Sequence, residues 1–214
     1  HDYLMKQKAS GRIRHLGFST HGSIDTMKRF LDAYGEDMEF CQIQLNYLDW
    51  TLQDGKGKVA LLNGRGIPIW VMEPVRGGRL AKMPAEDAAR LAALRPEETI
   101  PAWAFRFLQA VPGVTVVLSG MSTPEQLEDN TGTFSTDAPL TPAERDVLLD
   151  IVAGQLKKKT APCTACRYCV DHCTQGLDIP KLLGIYNEHT VSGGGFIPAM
   201  LLSTLPEDKR PGAC

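Results

Sequence analysis

The sequence predicts an α/β protein: a parallel sheet whose strands alternate with helices, followed by a small cysteine-bearing segment. Three observations carry that expectation. Four short apolar runs alternate with helical stretches, the pattern of a parallel sheet buried on both faces. The C-terminal side of each run is polar or glycine-rich: Ser19-Thr20-His21, Gln44-Leu45-Asn46, Glu73-Pro74 through Gly78, and Ser119-Gly120-Met121-Ser122. In a β/α barrel the site is built from such strand ends. From Ala161 onward the composition changes, and Cys163, Cys166, Cys169 and Cys173 stand in the spacing C-x2-C-x2-C-x3-C.

Each element has its own signal. Ile13-Arg14-His15-Leu16-Gly17-Phe18-Ser19 reads as the first strand. A helix follows from Ile24 to Tyr34, with Ser23 as N-cap and Gly35 as its stop. Phe40 to Leu45 is the second strand, and Gln53 to Asn63 a helix ended by Gly64 and Gly66. Ile67 to Met72 is the third strand, followed by helical pieces near Glu86–Leu94 and Pro101–Gln109. Val114 to Leu118 is the fourth. Thr123 caps a helix that carries Pro124 in its first turn. Thr141-Pro142-Ala143-Glu144 is a capping box that leads a helix to about Lys157. Farther on, a helix runs from Lys181 to about His189, Ser192 to Gly195 is a flexible break, Pro198 to Leu205 is a short helix, and the rest is loop.

Bulk properties narrow the function classes. Hydrophobic content of 43% and charged content of 22% are those of an ordinary globular protein. A net charge of −2 gives no general attraction to nucleic acid or to anionic membranes. No apolar run approaches the roughly 20 residues that span a bilayer. The basic run Lys157-Lys158-Lys159 reads as a solvated helix end. Free thiols at cluster spacing point to a reducing cytoplasm. The chain starts on His1 and stops on Cys214, and both ends read as cut.

The cysteine run favours an iron–sulfur site over zinc, and zinc over a disulfide set. Three thiolates on one tight loop can cap three corners of a 4Fe-4S cluster, and the fourth cysteine of the run usually serves a different cluster. Zinc sites mostly use two separated two-cysteine knuckles. Disulfide frameworks suit short, secreted, cysteine-dense chains. Cys214 stands where a second run would begin, so a single cluster would take Cys173 or Cys214 as its fourth ligand. Cys41 reads as a buried small hydrophobe. Trp50, Trp70 and Trp103 read as packing residues, with Trp50 also placed to wall a substrate pocket. His15, within the first strand, reads as structural, and Glu73 and Arg76 either pair across their loop or touch a ligand.

Four segments together resemble the aldo-keto reductases in order and spacing: Gly17-Phe18-Ser19-Thr20-His21-Gly22, Gln42-Ile43-Gln44-Leu45-Asn46-Tyr47, Met72-Glu73-Pro74-Val75-Arg76-Gly77-Gly78, and Ser119-Gly120-Met121-Ser122 with Gln126 and Asn130. The cysteine run resembles the bacterial subgroup that appends a ferredoxin-like domain. The resemblance implies the second half, strands 5–8, of a (β/α)8 TIM barrel over 1–159 and a truncated, small α-helical ferredoxin-like domain over 160–214. It implies an NAD(P)(H)-dependent oxidoreductase acting on a small carbonyl or hydroxyl compound. Ser19 and Gln42 would hold the nicotinamide carboxamide. Met72 stands where an aromatic often stacks on the ring. Val75, Gly77 and Gly78 match the pyrophosphate loop, and Gly120, Met121, Ser122, Gln126 and Asn130 match the adenosine end. Gln126 occupies a position that can be Arg, which leaves NADP or NAD open. Cys163, Cys166, Cys169, Cys173 and Cys214 would ligate iron.

The family's catalytic Asp, Tyr, Lys and His belong to the preceding strands and have no counterpart here. Tyr47 and Tyr168 lie in other motifs, and His21 matches the cofactor side. A half-barrel leaves two open strand edges, inviting association through the open side unless the missing half is present. Two functions follow as expectations: an aldo-keto reductase-type oxidoreductase whose clusters pass electrons to a redox partner protein, or a non-catalytic iron–sulfur carrier or regulatory protein.

Overall fold

A computed structural model describes residues 1–161, 163 and 167–213, the side chains of Lys158 and Lys159 excepted. The chain divides into two units, His1–Leu149 and the remainder from Asp150. In the first unit, α1 (Asp2–Ala9) precedes β1 (Gly17–Thr20), α2 (Ile24–Tyr34) and β2 (Phe40–Gln44). Next come α3 (Asp49–Leu52), α4 (Gly55–Gly64), β3 (Ile69–Met72), α5 (Ala85–Ala92), α6 (Ile100–Gln109), β4 (Val114–Val117) and α7 (Pro124–Phe134). Then follow α8 (Pro142–Lys159), α9 (Tyr168–Asp171), α10 (Ile179–Ser192) and α11 (Phe196–Ser203).

The four strands pair in chain order, all parallel. Parallel neighbours need a crossover, and every interval between strands supplies one through at least one helix. The registers sort the side chains onto two faces. Cys41, Ile43, Ile69 and Val71 are fully buried on one face. Phe18 pairs with Cys41 and meets Phe30 of α2 at 4.4 Å between ring centroids, so this face looks toward the helices. Gly17, Ser19, Phe40, Gln42 and Trp70 alternate onto the opposite face. There Phe40 stacks on Trp70 at 3.9 Å, and a Cβ at Gly17 would lie 2.6 Å from the Phe40 ring. The glycine is required by that close approach.

Helix α6 anchors the helical layer with Trp103, Phe105 and Phe107, each fully buried and each worth about 1.5–3 kcal/mol of transfer free energy. Trp50 packs edge-on against Phe107, and the Arg145 guanidinium lies 4.6 Å from the Trp50 ring centroid, so Trp50 is a packing residue here.

The expected caps at Ser23, Thr123 and Thr141 are present, and Thr99 adds one at α6 outside the sequence-based expectation. Ser23, Thr99 and Thr123 each accept the backbone N–H three residues on, at 3.2–3.3 Å. The capping box closes both ways: Thr141 N–H donates to Glu144 Oε2 at 2.7 Å, and Glu144 N–H to Thr141 Oγ1 at 3.3 Å.

Several boundaries differ from the sequence-based expectation. The first strand begins at Gly17, not Ile13. His15 lies outside it, exposed, with Nδ1 2.6 Å from the Glu39 carboxylate. Glu39 also receives Lys8 of α1, and these two hydrogen bonds hold its carboxyl at about 2. Pairing begins where β2 begins, with Gly17 opposite Phe40, because a strand needs a partner and residues 13–15 have no β2 residue opposite them. Helix α1 buries no residue and therefore leaves no apolar period to read. The expected flexible break is ordered: Gly193, at φ 64°, caps α10, and Gly194 N–H donates to His189 O at 2.9 Å. The segment after Pro206 holds two short 3-10 turns, not plain loop.

Arg95 joins α8 by a two-point ion pair, Nε to Glu144 Oε1 at 2.6 Å and Nη2 to Oε2 at 2.8 Å. The guanidinium pulls the Glu144 carboxyl from 4.5 to about 2. A carboxyl that titrates lower when folded stabilises fully above 4.5, and that contribution is lost as pH falls toward 2. Thermal denaturation across this window should therefore show a shallower acid limb for Glu144→Gln than for the wild type. Superimposable limbs would remove the pair from the acid response.

Candidate functional site

The C-terminal strand ends lie side by side, because all four strands run the same way in neighbouring positions. Ser19 of β1 pairs with Gln42 of β2, and Gln42 with Trp70 of β3. Gln42 Nε2 reaches Met72 Sδ at 3.5 Å, a long contact to a weak acceptor. Ser19 is exposed, and Gln42 and Met72 are half-buried.

Between the loops after β3 and β4 opens a cleft of about 640 Å³. Of the eleven sequence-predicted cofactor residues, Met72, Val75, Gly77, Gly78, Gly120, Met121, Ser122, Gln126 and Asn130 line it. Ser19 and Gln42 do not; they stand on the neighbouring strands. Glu73, Asp129, Pro101 and Phe105 also line the cleft. Asp129 Oδ2 accepts the Thr99 hydroxyl at 2.8 Å, tying α7 to the start of α6. Asn130 Nδ2 donates to Ser119 Oγ at 3.2 Å, and Ser122 N–H to Gln126 Oε1 at 2.7 Å. These bonds hold the glycine-containing loop on the first turns of α7.

The opposite wall, residues 73–78, is strained and pinned. Glu73 at φ 58° and Arg76 at φ 52° lie in the left-handed region, beside Gly77 at 62° and Gly78 at 82°. Non-glycine residues there cost about 1–3 kcal/mol each and persist only where neighbours over-determine them. The over-determining group is Asp49, fully buried. Its Oδ2 accepts Gln44 Nε2 at 2.7 Å, Asn46 Nδ2 at 2.6 Å and Arg76 Nε at 3.2 Å, and Arg76 Nη2 lies 3.1 Å from Oδ1. Asn46 completes the network: Nδ2 donates to Glu73 O at 3.0 Å, while Oδ1 accepts Asp49 N–H at 2.8 Å and Leu48 N–H at 3.1 Å. Gln44, Asn46 and Arg76 are buried as well. Asp49 carried no sequence signal beyond an ordinary helix start. Arg76, expected to pair with Glu73 or touch a ligand, reaches Asp49.

Two further groups were in question. Tyr47 is buried, its hydroxyl 3.4 Å from Leu80 O, and burial raises its pKa. Its hydroxyl thus points to a backbone carbonyl in the interior, and Tyr47 is not among the described residues that line the cleft. His21 keeps a buried Nδ1 without a hydrogen-bond partner. Burial lowers its pKa, the Lys58 ammonium adds to the effect, and Glu73 opposes it.

In the second unit, Cys163 and Cys169 are exposed free thiols and Cys173 is a half-buried one. Cys166 and Cys214 lie outside the described residues. Among the described residues no three His, Cys, Asp or Glu side chains converge as a metal site. The surroundings of Cys173 do suit a thiolate. Its Sγ accepts Leu177 N–H at 3.3 Å, and the Leu177, Gln175 and Gly176 amides with Lys209 lower its pKa. Amide donors to sulfur favour the ionised thiol, whatever it ligates. Cys41 is the contrasting case, fully buried in β2, where burial pushes its thiol up to about 12.

No helix among the described residues is long and apolar enough to cross a membrane. The aldo/keto reductase family model matches residues 1–148. Solved structures agree in fold. Aldo-keto reductase AKR11C1 from Bacillus halodurans, holo form, superposes with TM-score 0.56 at 21% identity over 69% of this chain and 53% of that one. The thermostable aldo-keto reductase Tm1743, bound to the inhibitor epalrestat, gives 0.57 at 17% identity over 69% and 52%. This chain therefore spans about half the length of the solved structures it matches. No curated protein matches it by sequence.

If Asp49 is the anchor, Asp49→Ala strands the Arg76 guanidinium in the interior and should cost about 3–5 kcal/mol in chemical denaturation. Asp49→Asn, which keeps the shape, should cost less. A loss under about 1 kcal/mol for the alanine variant would show that the loop is held elsewhere.

Proposed function

The chain belongs to the aldo/keto reductase family, and from that premise we propose that it is strands 5–8 of a (β/α)8 barrel that binds NAD(H) or NADP(H) and reduces or oxidises a small carbonyl or hydroxyl compound. The observation that carries this reading is the shared cleft, which nine of the eleven candidate residues line together. A nicotinamide, when bound, supplies or accepts the hydride. The chain's own residues bind and orient. Ser19 and Gln42 hold the carboxamide with hydroxyl and amide groups. Met72 lies against the ring, as a polarisable, adaptable surface. The backbone at Val75, Gly77 and Gly78 approaches the pyrophosphate, and Gly120, Met121, Ser122, Gln126 and Asn130 receive the adenosine. Proton transfer to the substrate oxygen falls to groups on the strands that precede these in the family's barrel.

The segment from residue 160 acts as an iron–sulfur domain with Cys163, Cys166, Cys169, Cys173 and Cys214 as its thiolates, passing single electrons to a redox partner protein. The support is the spacing together with the amide-rich surroundings of Cys173.

The full-length protein should quench NADH or NADPH fluorescence on titration. Gly78→Val puts a branched side chain at φ 82°, on the cleft wall, and should weaken binding about tenfold or more. Iron and acid-labile sulfide in equal amounts should accompany the purified protein. Absence of both nicotinamide binding and iron would overturn this function.

A further inference from the structure

The charged lining of the cleft is of one sign. Glu73 and Asp129 are the charged side chains among its described lining residues, and both are acids. No lysine or arginine lines it among the described residues. Arg76, close in sequence, points its guanidinium to Asp49 in the interior.

The helix start that carries the lining residues Gln126, Asp129 and Asn130 has its side-chain caps in place. At the N-terminus of α7 (Pro124–Phe134), Gln126 N–H donates to Thr123 Oγ1 and Ser122 N–H to Gln126 Oε1. The Glu125 carboxylate folds back to accept its own N–H and the Thr123 hydroxyl, which lowers its pKa. A helix N-terminus ordinarily attracts phosphate. Here the first turn of α7 carries the Glu125 carboxylate, next in sequence to the lining residue Gln126, and the Gln126 carboxamide is turned into its own loop. A second anion arriving there would meet like charge and would displace existing bonds. A neutral ribose hydroxyl would meet neither obstacle, and carboxylate and amide oxygens are good acceptors for it.

We propose that this cleft selects NAD(H) over NADP(H), rejecting the adenosine 2′-phosphate. The inference rests on the nicotinamide reading above and adds the chemical identity of the cofactor's adenosine end. Like-charge contacts near a surface readily exceed tenfold in affinity and weaken with salt.

Fluorescence titration of the full-length protein with NADH and NADPH, at low and high ionic strength, tests it. NADH should bind at least about tenfold more tightly at low salt, and the gap should narrow as salt is raised. ADP should likewise displace bound NADH better than 2′,5′-ADP, a comparison that needs no variant. Gln126→Arg and Glu125→Lys should each shift the preference toward NADPH. NADPH binding as tightly as NADH, or more tightly, would overturn the selectivity while leaving the reductase reading in place. Binding of neither dinucleotide would overturn both.

Discussion

The buried carboxylate of Asp49 is the constraint on which the site depends. Burying an ion is costly unless opposing groups meet it: three side-chain hydrogen bonds converge on Oδ2, and the Arg76 guanidinium lies 3.1 Å from Oδ1. Those side chains come from the end of β2, the loop after it and the loop after β3. The network therefore welds two strand ends to each other and clamps residues 73–78 in a backbone conformation they would not choose alone. One wall of the cleft is shaped by this clamp. Rigid walls lower the ordering cost that ligand binding must meet.

The other wall is built differently. Around Gly120 the chain is held by short, partly exposed bonds: Ser122 to Gln126 and Asn130 to Ser119. Exposed polar bonds contribute less and open more easily than buried ionic ones. The cleft thus has a fixed side and an adaptable side. In the proposed reading, a long dinucleotide entering between them would meet a set surface at its pyrophosphate and a yielding one at its adenosine end. The lining acids stand one on each side, Glu73 on the fixed wall and Asp129 on the adaptable one, so in that reading the cleft would filter on charge rather than on shape.

The sheet divides its labour in the same manner. Cys41, Ile43, Ile69 and Val71 make one dry face against the helices. The opposite face carries an apolar stack, Phe40 on Trp70, below a polar rim of Ser19 and Gln42. Side chains alternate at period two, so the same five-residue strand β2 can feed a core and a site at once. The thiols of the two units differ in the same way: Cys41, in β2 of the first unit, is buried with its thiol pushed up, whereas Cys173, in the second, sits among amide donors that favour its ionised form.

What the sequence determined by itself was local and repetitive. The parallel α/β order followed from apolar runs alternating with helices, and the N-caps at Ser23, Thr123 and Thr141 followed from short-range hydrogen bonding within three residues. The strand-end motifs pointed to the residues of the cleft, because strand direction alone puts all C-terminal ends at one side. Tertiary structure decided the rest. Asp49 as an anchor, Arg76 turned inward, Asp129 bound to Thr99 and the closure of the α7 start on itself are contacts between elements 27 to 30 residues apart, or choices among competing partners. The first strand's true start was likewise set by where its neighbour β2 begins, Gly17 pairing with Phe40. Local propensity reports what a segment can do unaided, whereas a buried charge finds its partners only after the chain has folded around it.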